Sequence, residues 1–320
     1  MITTSDEQLP LYGTPSAETG LPTPAAAPPA PVLGAGLPLK AAIGAWCDHL
    51  RHENSPENTI KAFGGDLRQL STFLGAAKNL GQVTTPELNE WLVWQRTVKR
   101  CSPKTYARRI TSLKAFFRWL TDKNIISHDP AAAIIQHTVL SPLPDILSAL
   151  EVDAALAAAE ALRHAEKPDP RPYVLFGLLL ETGIKKGECL ALVPNHVDLS
   201  EPDDPVLWVR YPNPRYRFKE RKLKLSADWV AAYRDYLTQF SPRDKLFPWS
   251  PRRLEYMLEE IGQLAGIPKR LSFDMCRWTC AMREARFGTD FDRIRQKLGL
   301  SKVQWREIGM KLKKLTEPAL

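Results

Sequence analysis

Positively charged side chains gather in three stretches of this 320-residue chain, and the chemistry open to them is holding phosphate. Residues 96–123 carry nine Lys and Arg against one acid, Asp122; Lys104, Arg108 and Arg109 are among the nine. Residues 210–224 carry seven against Glu220, including Arg215, Arg217, Lys219 and Arg221. Residues 271–320 carry eleven, Arg277 among them, against six acids. Solvated helix faces ordinarily mix the two signs at i, i+4. Single-signed clusters suit a polyanion, whose phosphates they neutralise with release of counterions. Metal chemistry is poorly supplied by comparison. Cys276 and Cys280 lie one helical turn apart, but no His follows His196, so a zinc site there would lack its usual partners. No metal and no cofactor is expected. Five cysteines, odd in number and without a CxxC, read as reduced thiols.

The elements that must carry these cations follow from apolar spacing. With 44% hydrophobic residues the chain can bury two cores. Its net charge is +8, which becomes +11 once the −3 of the first 36 residues is set apart. Those 36 residues hold seven prolines and few large apolar groups, the composition of a disordered tail. No run of about 18 apolar residues and no basic-then-apolar leader is present, so a cytoplasmic protein without a membrane partner is expected. Ser55-Pro56, Thr85-Pro86, Ser102-Pro103 and Ser250-Pro251 each read as a helix start, a side-chain cap beside a proline in the first turn. In the helix opened by Ser102, Tyr106, Ile110, Leu113, Phe117 and Leu120 form the buried stripe. Lys104, Arg108, Arg109 and Ser112 fall largely off it, which predicts one core face and one basic face. Residues 206–210 and 221–225 read as paired strands, and residues 303–315 as a final helix ending in Lys311, Lys313 and Lys314.

Several motifs carry a resemblance to a known family. Ser55–Thr59 reads S-P-x-x-T and is followed by Asp66-Leu67; residues 102–120 read S-P-K-T-Y-A-R-R-I-T-S-L-K-A-F-F-R-W-L; Asp129-Pro130-Ala131 closes the block. Residues 142–152 are similar to an L-P-x-x-L-S-x-x-E-V opening. Thr182-Gly183-Ile184-Lys185-Lys186-Gly187-Glu188 is similar to T-G-x-R-x-x-E, and residues 272–309 to S-P-H-x-L-R-H-T followed by L-G-H and, nine residues on, a tyrosine. The chain in this respect resembles the tyrosine recombinases, or phage integrases. The resemblance implies a mainly α protein, α+β in its C-terminal part: a tail over 1–36, a helical core-binding, SAM-like domain over 37–135, a linker over 136–144, and a recombinase-like domain over 145–320 with a small antiparallel sheet.

The resemblance also implies a set of site residues, and most of them are changed. The first arginine of the family is Lys185, which keeps the charge and loses the two-pronged donor. The general-acid lysine falls on Tyr216, the first histidine on Asp274, the second arginine on Arg277, the histidine of L-G-H on Leu300 and the nucleophilic tyrosine on Gly309. No tyrosine follows Tyr256 in these 320 residues. The expectation is a DNA-binding protein, nucleoid-associated when bound, that is catalytically silent and acts in or regulates recombination or integration. The residues expected on DNA are Lys104, Arg108, Arg109, Lys185, Arg215, Arg217, Lys219, Arg221 and Arg277. Expected partners are double-stranded DNA and, through the last helix, a second copy or an active recombinase. Two other readings stay open: an active recombinase working through unorthodox residues, with Lys219 a candidate acid, and an interaction scaffold without DNA affinity.

Overall fold

A computed structural model describes residues 34–75, 77–136 and 142–317. All but the last three residues of the expected tail lie outside the described residues, as does most of the expected linker. The chain divides into two compact units between Ser141 and Pro142.

The first unit is helical: α1 (Leu39–His52), α2 (Glu57–Leu74), α3 (Thr85–Thr97) and α4 (Pro103–Asp122). Their apolar stripes close on one core that includes Trp46, Leu67, Leu70, Trp91, Leu113, Phe116 and Phe117. Trp46 meets Phe116 edge-on at 5.5 Å between ring centroids, the arrangement aromatic quadrupoles favour. Helix α4 starts as its sequence directs. Ser102 accepts a hydrogen bond from the Thr105 amide and Pro103 opens the helix. Helix α3 starts on a capping box between Thr84 and Glu87, with Pro86 in the first turn; the cap is thus Thr84 and not Thr85, whose hydroxyl donates to the Pro130 carbonyl. At α2 the expectation is corrected: Pro56 is itself the cap residue, at φ −57°, and no side chain caps the helix. The proline ring presets φ for the residue before the helix, which here serves in place of a serine cap.

The second unit comprises α5 (Ala149–Arg163), α6 (Arg171–Thr182), α7 (Lys186–Ala191), strands β1 (Val197–Asp198), β2 (Val206–Val209) and β3 (Arg221–Lys224), then α8 (Ala227–Phe240), α9 (Pro251–Leu264), α10 (Phe273–Arg286), α11 (Phe291–Lys297) and α12 (Lys302–Thr316). Helix α6 is the central rod. Val174 through Leu180 are all buried, and α5, α8, α9 and α10 pack around it. A helix apolar on all sides has to be enclosed in this way. The sheet is antiparallel in the order β1-β2-β3, with Val206 opposite Lys224 and Val209 opposite Arg221. The β2–β3 hairpin is the one expected. Strand β1, two residues long, shows no alternating pattern in the sequence and exists only through its pairing with β2. The architecture is thus mainly helical with a small antiparallel sheet, as the resemblance implied.

Helix α6 ends on Gly183 in the left-handed conformation, φ +58°. A Cβ there would come within 2.8 Å of the Leu298 side chain and 3.1 Å of the Cys280 sulfur. Glycine is needed both for the turn and for the close approach. Helices α10 to α12 enclose a smaller core of Ala281, Met282, Ile294, Leu298, Leu300 and Leu312.

Candidate phosphate-binding site

In the second unit one buried carboxylate gathers most of the motif residues. Glu188 sits in the first turn of α7, where it accepts from the Lys185 amide at 2.8 Å. From β3, Arg221 donates both terminal nitrogens to Glu188, at 3.0 and 2.9 Å, and its Nε to the Lys297 carbonyl at 2.6 Å. The Tyr211 hydroxyl donates to the same carboxylate. Burial by itself would raise the Glu188 carboxyl. The Arg221 fork, the Tyr211 hydroxyl and the Lys185 amide outweigh it and hold the group down at about 2, the outcome when hydrogen bonds favour the charged form. Burial and the adjoining carboxylate push the Tyr211 phenol the other way, well above its ordinary value.

Around this pair stand three backbone carbonyls and three cations. Arg277, from α10, donates one terminal nitrogen to the Gly183 carbonyl and the other to the Leu298 carbonyl, the latter at 2.6 Å. Lys185 Nζ lies 3.5 Å from the Gly299 carbonyl, a long contact that leaves most of its donor capacity unused. Lys185 is brought down to about 8, first by burial and then by the like charges of Arg277, Lys219 and Arg221, against the opposing pull of Glu188. Arg277 is lowered to about 10, chiefly by burial. Four cations share one carboxylate, so the site carries excess positive charge that a further anion would relieve. Gly299, at φ +59°, closes the turn between α11 and α12, and a Cβ would collide with the Arg221 guanidinium at 2.6 Å.

The remaining family-equivalent positions bring no proton-transfer group to this cluster. Tyr216 is half-buried in a 3₁₀ turn (Pro214–Lys219), its ring tilted against Tyr211. Asp274 is exposed in the first turn of α10. Leu300 is buried in the small α10–α12 core. Gly309 lies inside α12, where a Cβ would stand 3.0 Å from the Trp305 indole one turn earlier. Arg215 and Arg217 are exposed in the turn and Lys219 is half-buried there.

The first unit corrects the expected basic face of α4. Arg109 and Ser112 are buried. Arg109 donates to Gln95 at 2.5 Å and Gln69 at 3.2 Å, while Arg108 donates to Asp66 at 2.6 Å and to the Ala62 carbonyl. Ser112 also donates to Asp66, at 2.8 Å. Arg109 therefore serves the interior, and Arg108 is half committed to it. Lys104 and Arg118 are the exposed cations of that helix. In the second unit Arg221 is corrected likewise, since its side chain is only 9% exposed and fully engaged. Both errors share one cause. Each arginine answers a buried carboxylate far away in sequence, and an unpaired buried charge is too costly to leave. One signal was present: Gln95 falls on the apolar stripe of α3, and a polar group on a core face requires a partner.

The same architecture occurs in solved recombinase structures. A lambda integrase dimer bound to a COC′ core site superposes with TM-score 0.68 at 14% identity, over 89% of this chain and 80% of that one. XerH site-specific recombinase bound to difH substrate gives 0.63 at 18%, over 87% and 84%. Two helical units, the second with a short sheet, make up the fold this chain shares with these recombinases. Residues 43–124 match the phage integrase N-terminal SAM-like domain. Tyrosine recombinase XerC of Corynebacterium efficiens is 28% identical over 282 residues, 83% of this chain and 85% of the relative. XerC of Roseiflexus castenholzii is 33% identical over 160 residues, so that the match spans 49% of this chain and about half the length, 50%, of that relative. In its matched domain, its sequence relatives and its fold, the chain is similar to the tyrosine recombinases.

Proposed function

We propose that this protein binds duplex DNA as recombinases do but does not cleave it, and that it acts in recombination or integration as a site-binding partner or regulator. The observation that carries the reading is Gly309. At the position of the family's nucleophile stands a residue with no side chain, in the middle of α12 and covered by Trp305. Forming a phosphotyrosyl bond needs a nucleophile, donors for the pentavalent phosphate and groups that move protons. The donors survive in part, as Lys185 and Arg277. The proton-moving positions hold Tyr216, Asp274 and Leu300 in place of the lysine and histidines of the family motifs.

Support for DNA as the partner comes from the excess charge at the Lys185–Arg277 corner, the exposed cations Lys104, Arg118, Arg215 and Arg217, and relatives and neighbours described as recombinases or as recombinases on DNA. In this reading the first unit serves as the core-binding domain expected over 37–135 and the second as the recombinase-like domain expected over 145–320. Helix α12 is anchored within its own unit by Leu312 and leaves Val303 and Met310 exposed, a surface suited to a second copy or an active recombinase. No described helix is long and apolar enough to cross a membrane.

A nicked suicide duplex resolved on a denaturing gel tests the reading. Neither the wild type nor Gly309→Tyr should yield a protease-sensitive adduct, because the variant restores the hydroxyl but not the proton-moving groups, and its side chain must first displace Trp305. An adduct from the wild type overturns catalytic silence. An adduct from the variant alone would show that Lys185 and Arg277 suffice for cleavage once a nucleophile is present.

A further inference from the structure

The turn between β2 and β3 carries an apolar side chain outside the core, Phe218, with the Lys219 ammonium 5.3 Å from its ring centroid. Phe218 is 69% exposed, and its immediate neighbours are Arg215, Tyr216, Arg217 and Lys219. Residues 214–219 form a 3₁₀ turn, in which side chains three apart eclipse one another. Tyr216 and Lys219 accordingly stack, the ammonium 4.7 Å from the ring centroid. The same spacing puts Arg215 and Phe218 on one face.

This projection is held at its base. Asn213 accepts from the Arg215 amide at 3.0 Å, the Tyr216 amide donates to the Asn213 carbonyl at 3.0 Å, and the Glu220 side chain accepts from the Tyr211 amide at 2.8 Å. Beneath the turn, Tyr211 and Arg221 both bind Glu188. A single exposed phenylalanine is ordinary on a protein surface. One carried on a pinned hairpin turn, with cations on either side, has the make-up of a side chain that enters a base stack while its neighbours hold the backbone phosphates.

We propose that Phe218 is a wedge that inserts between base pairs of bound duplex DNA, unstacking one step and bending the helix, with Arg215 and Arg217 on the flanking phosphates. The inference rests on the DNA-binding reading above and adds to it a deformation of the duplex. Flexible pyrimidine–purine steps would be the preferred points of entry. The wedge consequently favours sites by their deformability, without reading base edges.

The test uses the full chain with short duplexes carrying 2-aminopurine in turn at each adenine, binding being followed in parallel by anisotropy at about 50 mM salt, where phosphate contacts are strong. Wild type should raise 2-aminopurine fluorescence on binding, most at TA and CA steps, and end-labelled duplexes should report a bend of roughly 20–90°. Phe218→Ala should abolish the rise and the bend while still binding. Phe218→Leu, another apolar wedge, should retain both. Binding by wild type with no rise, or a rise that survives Phe218→Ala, overturns the wedge and leaves DNA binding standing. No binding by wild type overturns both.

Discussion

Among the described residues each unit buries one carboxylate, and the two are treated in opposite ways. Asp66 in the first unit is 2% exposed and Glu188 in the second 7%. Asp66 accepts from Ser112 and from a single nitrogen of Arg108, a residue whose side chain is 38% exposed, while Arg109 Nε stands 3.5 Å away. Burial prevails there, and the Asp66 carboxyl is raised above its ordinary value. Glu188 takes both prongs of a buried arginine, a phenol and a backbone amide, and its carboxyl is lowered to about 2. What separates them is the number and aim of the donors, since arginines stand beside both. A bidentate, fully enclosed pair overcomes desolvation, and a looser network shared among several groups does not.

The largest effect expected from this contrast is on stability. Glu188→Gln leaves Arg221 buried without its counterion and should cost about 3–5 kcal/mol. Asp66→Asn, which keeps acceptors for Ser112 and Arg108, should cost about 1–3 kcal/mol. Urea unfolding of the full chain followed by site-resolved hydrogen exchange measures both, and equal losses would break the contrast. The pH dependence has a definite sign. The folded Glu188 carboxyl lies below its unfolded value, so its contribution is present above about pH 4.5 and is lost as pH falls toward about 2. Asp66 is raised, so ionising it weighs against the fold and protonation removes that burden. Amides around α7 and β3 should therefore lose protection in acid before those around α2 and α4.

A smaller effect separates structural from surface cations. Arg109→Met strands the Gln95 oxygen, leaves the Gln69 oxygen only the 3.4 Å contact from Gln95 Nε2, and should cost about 1–3 kcal/mol of stability, with the salt dependence of DNA binding unchanged. Lys104→Ala should leave stability alone and reduce the slope of log affinity against log salt by about 0.9, the value of one phosphate contact. The reverse pattern would restore the outward basic face first expected for Arg109.

The smallest effect concerns Lys185. Its pKa of about 8 means that free protein loses this charge between pH 7 and 9. A bound phosphate would favour the ammonium, so binding takes up a proton there and weakens, by up to about tenfold, over those two pH units. Lys185→Arg should flatten the profile. A wild-type affinity independent of pH over that range would remove Lys185 from the phosphate site.

The sequence by itself determined the helices, the hairpin and the family frame. Apolar spacing and local caps such as Ser102-Pro103 depend on residues within a turn or two of one another, and the T-G-x-x-x-x-E and S-x-x-x-x-R motifs keep their spacing even where their chemistry has changed. The reading that puts Gly309 at the nucleophile's place rests on that same spacing. Which cations face out and which serve the interior was decided only by tertiary structure. Arg108 and Arg109 are adjacent in one basic run, and Lys219 and Arg221 lie close together in another, yet Asp66 and Glu188 draw Arg109 and Arg221 inward from far along the chain. A helical wheel registers hydrophobicity and charge, but the position of a distant buried carboxylate is set by how the elements pack. The desolvation cost of that carboxylate then fixes which arginine must meet it.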